Sequence, residues 1–103
     1  MLTLNLEEVK NRIRVDHDFD DEEIQGLIYA SEQQIQGAVS GYKKADAFYK
    51  DNNLYYLAVI NQVGHHYENR SSTSQFQRHS VSQSSLALIQ TLRGAYAVWK
   101  LEN

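Results

Sequence analysis

The sequence predicts a mainly all-α fold: a small bundle of four to five helices with a long serine-rich loop and a short C-terminal strand. Three observations carry that expectation. Apolar residues recur at i, i+3, i+4 and i+7 in separate segments, the spacing of a helix with one buried face. Capping residues stand before those segments, and glycines close two of them. Proline is absent, while seven tyrosines supply aromatic packing surface.

Asn5-Leu6-Glu7-Glu8 opens the first helix, with Asn5 as N-cap and Glu8 reaching back to it. Leu6, Val9 and Ile13 form its inner stripe, and it is expected to end near Arg14-Val15. Asp20 caps the second helix with Glu23 as its capping-box partner, and Asp21 and Glu22 complement the positive end of the dipole. Phe19 before the cap and Ile24 one turn inside predict a hydrophobic staple. Ile24, Leu27, Ile28, Ile35, Ala38 and Val39 continue one face as far as Gly41, a natural stop. Gly26 and Gly37 inside this helix each cost about 1 kcal/mol relative to alanine, which suits places where another helix must come close.

Ala45 to Tyr49 predicts a helical turn, and Asp51-Asn52-Asn53 a turn that caps the third long helix. Tyr56, Leu57, Ile60, Val63, Gly64 and Tyr67 give that helix its buried stripe. The composition then shifts. Asn69 to Ser85 holds seven serines, with only Phe76 and Val81 as sizeable apolar residues, too little apolar area to offset the entropy of ordering. Loops of that length are usually functional or disordered. Ser84 or Ser85 caps the last helix, where Leu88, Ile89 and Leu92 share a stripe, Arg93 meets the negative dipole end and Gly94 stops the helix. Beyond it, Tyr96, Val98 and Lys100 alternate with Ala97, Trp99 and Leu101, the period of a strand. The expected core is Leu6, Val9, Ile13, Ile24, Leu27, Ile28, Ile35, Leu57, Ile60, Val63, Leu88, Ile89 and Leu92.

At 103 residues the chain has room for one domain, spanning 1–103, with one modest core. A hydrophobic content of 42% and a mean hydropathy of -0.57 suit a soluble globular protein. The longest apolar run, Leu54 to Ile60, is far shorter than the ~20 residues of a spanning helix. The first nine residues carry neither a basic cluster nor a long apolar stretch, so no secretory signal is expected. Cysteine is absent, which excludes a disulfide framework and a thiol nucleophile; a cytoplasmic protein is the simplest expectation.

The net charge of -3 is unevenly placed. Asp16, Asp18, Asp20, Asp21, Glu22 and Glu23 are six acids within eight residues, whereas Arg70, Arg78, Arg93 and Lys100 lie in a stretch without one acid. A chain with an acidic and a basic end can dock head-to-tail with its own copies, although two solvated surfaces explain the charge equally well.

Chemistry at these residues is mostly excluded. Asp16-x-Asp18-x-Asp20 resembles the start of a calcium loop, but the sixth and twelfth positions are Asp21 and Leu27 instead of glycine and glutamate. His65 and His66 are helical neighbours pointing ~100° apart, so they do not chelate one metal, and a packed or interfacial pair is the better reading. No serine lies in a nucleophile elbow, and there is no glycine-rich phosphate loop. Arg70, Phe76, Arg78 and His79 suit weak contact with a nucleic-acid backbone, while the overall acidity argues against tight binding.

Several of these stretches also match a known pattern. Leu6-Glu7-Glu8-Val9-Lys10 resembles the "LEEVK" opening of a family of small phage head–tail connectors associated with DNA packaging. Ile13-Arg14-Val15-Asp16, followed by Asp20-Asp21-Glu22-Glu23-Ile24, is similar to that family's turn into its second helix, which Leu27-Ile28-Tyr29-Ala30 continues. Leu88-Ile89-Gln90-Thr91-Leu92-Arg93-Gly94 resembles its helix-ending "QLRG" signature, with Thr91 as a departure. The resemblance implies a non-enzymatic, cofactor-free virion protein of a tailed phage: a ring beneath the portal that extends the DNA channel and joins head to tail after packaging.

The partners so implied are the portal protein and the tail-side head-completion (stopper) protein, with self-association into a dodecameric ring on the portal. Weak non-specific contact with channel DNA is implied as well, and no membrane. The location is the host cytoplasm during assembly and the head–tail junction of the virion afterwards. Interface candidates are Arg70, Phe76, Arg78 and His79 in the loop, which is expected to order on assembly, and Tyr96, Val98, Trp99 and Leu101 in the strand. Strand addition to a partner would satisfy the strand's backbone and bury Trp99; folding back on its own bundle is the alternative. A different class of reading is a small helical adaptor or regulator that binds a protein partner or nucleic acid. The connector forms large closed rings or binds a portal, and the adaptor does neither.

Overall fold

The computed structural model describes residues 4–41, 45–69 and 83–103. Among these residues five helices follow in order: α1 (Leu6–Arg12), α2 (Asp21–Ser40), α3 (Asp46–Tyr49), α4 (Asn53–Asn69) and α5 (Gln83–Glu102). α2, α4 and α5 pack on one another, and α1 lies against α2. α2 and α4 are antiparallel: the Tyr67 hydroxyl donates to Asp20 Oδ2 at one end, and Tyr55 meets Glu32 and Gln36 towards the other.

Local chemistry sets the helix limits. Asn5 Oδ1 accepts the Glu8 backbone N–H at 3.2 Å, the N-cap expected from sequence. α1 ends at Arg12, earlier than expected, because the chain turns through Arg14 at φ 64. α2 ends at Gly41, whose φ of 65 is left-handed and whose N–H returns to the Gly37 carbonyl. Asn52 Oδ1 receives the Tyr55 N–H at 3.1 Å and starts α4. Two expectations at α2 fail. Asp20 makes no side-chain cap hydrogen bond, and Phe19 is 91% exposed, so no staple forms with the buried Ile24. Gly26 has open space around it, so no close approach by another helix explains that glycine.

The C-terminal strand is also a correction: residues 95–101 are helical, and no strand occurs among the described residues. Gly94 does not stop α5, because the apolar stripe runs on past it. Ser85, Ile89, Leu92, Tyr96 and Trp99 keep helical spacing, and the last two meet Phe48 of α3 at 5.4 and 5.8 Å between ring centroids. The alternation of Tyr96, Val98 and Lys100 is incidental to that longer stripe. Asn69 and Gln83 to Ser85 belong to α4 and α5 instead of to the expected serine-rich loop, and residues 70–82 lie outside the described part of the chain. Ser85 sits inside α5, its hydroxyl donating to the Ala58 carbonyl at 3.3 Å.

Most of the expected core is buried: Val9, Ile24, Ile28, Ile35, Ile60, Val63, Ile89 and Leu92, with Leu6, Ile13, Leu27 and Leu88 partly buried beside them. Leu57 is the exception. α4 is turned so that Tyr55, Ala58, Val59 and Gln62 face inward, which leaves Leu57 exposed and Tyr56 only partly covered. Burying Tyr55 satisfies its hydroxyl with two partners from α2, an arrangement that an apolar stripe does not reveal.

Candidate interaction surfaces

The turn between α1 and α2 is built around a buried cation. Lys10 lies on the inner side of α1 next to Val9, with only 3% of its surface exposed. Its ammonium reaches Asp21 at 2.7 Å and Asp18 at 2.9 Å, with Glu7 at 3.9 Å. The hydrogen bond to Asp21, then that to Asp18, raises the Lys10 pKa well above the ordinary lysine value, and Lys10 in turn lowers that of Asp18. The two carboxylates flank Phe19, whose backbone N–H donates to His17 Nδ1 at 3.3 Å and whose ring lies 5.0 Å from the His17 ring. The result is a pinned turn with an aromatic ring held in solvent. Part of the acidic run is thus an ion-pair clasp, and the sequence signal for it was Lys10 itself, a lysine on the inner arc of α1 ahead of six acids.

A polar seam runs between α2 and α4. The Tyr55 hydroxyl donates to Glu32 Oε2 at 3.2 Å and accepts from Gln36 Nε2 at 2.7 Å. Burial raises the Glu32 pKa, while its hydrogen bond from Tyr55 and the Leu4 backbone amide oppose the shift. Further along, Gln34 Oε1 accepts from Gln62 Nε2 at 2.9 Å and lies 2.8 Å from His66 Nε2. The tautomer with a proton on Nε2 lets His66 donate as well. Burial lowers the His66 pKa, and the neighbouring His65 adds to the effect. His66 is therefore packed in the seam, His65 is half-buried beside it, and no group of three or more possible metal ligands occurs among the described residues.

α5 divides the expected interface residues into two sets. Tyr96 and Trp99 face inward on Phe48, stacked on each other at 5.9 Å. Val98 and Leu101 point out, 58% and 86% exposed. Arg70, Phe76, Arg78 and His79 lie outside the described residues. Arg93 does not serve its own helix end as expected, since α5 continues past it; its Nε–H donates to the Ala38 carbonyl at 2.7 Å and tethers α5 to the last turn of α2.

The model of the phage gp6-like head–tail connector protein family matches residues 3–93. The chain belongs to that family. The head–tail connector match begins ahead of α1 and ends at Arg93, so it covers the Lys10 clasp, the polar seam and the Arg93 tether together. Head–tail connectors are phage structural proteins of the head–tail junction, which places this chain in the virion. No helix of the described residues is long and apolar enough to cross a membrane. No curated protein and no solved structure matches the chain.

Proposed function

We propose that the protein is a ring-forming subunit that sits beneath the portal of a tailed phage, lengthens the DNA channel and joins head to tail after packaging. The observation that carries this reading is its membership of the head–tail connector family over residues 3–93. On this reading the whole chain acts as one helical unit and has no catalytic role. Its partners are further copies of itself, in a dodecameric ring on the portal, and the tail-side stopper protein. Contact with the passing DNA is weak and non-specific, in keeping with a net charge of -3, which disfavours tight hold on a polyanion.

The helical form of residues 95–101 changes how this segment engages a partner. A helix satisfies its own backbone, so docking uses the outward side chains Val98 and Leu101 and needs no strand addition. Tyr96 and Trp99 serve the subunit's own packing. Arg70, Phe76, Arg78 and His79 remain candidates for contact with a neighbour or the channel. The test is native mass spectrometry of the purified protein alone and with portal protein. A closed ring of fixed copy number, formed alone or on the portal, supports the reading; a chain that stays monomeric and ignores the portal refutes it.

A further inference from the structure

The two most exposed large apolar side chains among the described residues, Phe19 and Leu101, stand in opposite electrostatic settings. Phe19 projects from the α1–α2 turn between Asp18 and Asp21, with Asp16 and Glu22 exposed nearby. Lys10 holds the flanking carboxylates at 2.9 and 2.7 Å, so the ring is presented on a fixed turn and little freedom is left to lose on binding. On α5 the outer face carries Gly94, Val98 and Leu101 one helical turn apart, with Arg93 and Lys100 along one flank. No acid occurs in α5 before Glu102.

Among the described residues Gly94 has no neighbour within 4 Å of where its Cβ would be, so none of their packing calls for glycine there. In a helix that glycine costs about 1 kcal/mol relative to alanine. With no side chain at Gly94, the exposed helix surface beside Val98 is left uncovered. The two patches lie near opposite ends of α2, a helix of 20 residues and thus about 30 Å long. The turn precedes its first residue, and the α5 patch begins where Arg93 holds Ala38 near its last.

We infer that Phe19 of one copy seats on the Gly94–Val98–Leu101 face of the next copy, with the acidic turn against Arg93 and Lys100. Self-association is part of the reading under Proposed function, and this assignment of surfaces rests on it. Because two different patches meet, the contact is head-to-tail, the kind that propagates and closes into a ring when the rotation between copies permits. Charge complementarity selects the register, and the buried aromatic ring supplies the affinity.

The chain has no cysteine, which makes the contact testable by cross-linking. F19C and V98C are prepared separately, mixed and treated with a short bis-maleimide. Heterodimers well above the statistical share are expected; a share at or below it overturns the assignment. In native mass spectrometry F19A and L101D, both changed at solvent-exposed positions, should each weaken assembly on the order of tenfold or more, with helical circular dichroism retained. Mixed together they should form dimers and nothing larger, since each lacks the opposite half of the contact. F19A rings as tight as those of the wild type remove this interface and leave the ring reading standing. A wild-type chain that neither assembles nor binds portal removes both.

Discussion

Replacing Tyr55 with phenylalanine tests whether the polar seam holds α2 to α4. The ring stays and only the hydroxyl goes, so no large cavity is made. Two interactions are lost: the bond from Gln36 at 2.7 Å and the bond to the Glu32 carboxyl at 3.2 Å. A neutral hydrogen bond contributes about 0.5–1.5 kcal/mol and one to a charged group about 1.5–3, and the longer Glu32 distance puts the sum near 2–3 kcal/mol. Glu32 would also be left buried with less support, since its Oε1 has no hydrogen-bond partner among the described residues.

The pH dependence follows from the sign of the Glu32 shift. Its folded pKa lies above 4.5, so its contribution to stability is full below the unfolded value and is lost as pH rises through the folded one. Removing the Tyr55 hydroxyl, which opposes the rise, moves the folded value higher still. Y55F should therefore lose more stability at neutral pH than in mild acid. Urea unfolding at both conditions measures it. A Y55F protein within about 0.5 kcal/mol of wild type at neutral pH would refute the seam as a tie between the helices.

Three further outcomes are expected. I28A should cost about 2–5 kcal/mol in chemical denaturation, because Ile28 is fully buried between the packed helices; an unchanged midpoint would mean that the inner face of α2 is wrongly assigned. Deleting the residues after Gly94 should lower the melting temperature, since it removes the two α5 rings that pack on Phe48 and a buried aromatic contributes about 3–5 kcal/mol; a truncation that melts like the full chain would contradict that packing. K10M should flatten the acid side of the stability profile. Asp18 contributes stability above its unfolded value of 3.8 that is lost as pH falls through its lowered folded value, and without Lys10 that dependence should vanish from urea midpoints taken across the range.

Helix existence was legible because it depends on local signals. Asn5 and Gly41 act at their own helix ends, so a few neighbouring residues suffice to place them. What depends on partners distant in sequence was not legible. Leu57 and Tyr55 are both apolar enough for the inner face of α4, and only the α2 acceptor and donor decide that Tyr55 turns inward. Phe19 had the right spacing for a staple, but Lys10 ion-pairs with the flanking Asp18 and Asp21 and the ring stands in solvent. Gly94 marks a helix end only when nothing beyond it needs burying, and Tyr96 and Trp99 do. Their placement against Phe48 also sorts the C-terminal interface candidates, leaving Val98 and Leu101 as the outward pair.

Assembly at the head–tail junction is read out by the mass of the particle that this chain forms with a cognate portal protein. One closed species with a fixed number of copies on the portal ring is expected. Free subunits beside an undecorated portal would contradict it.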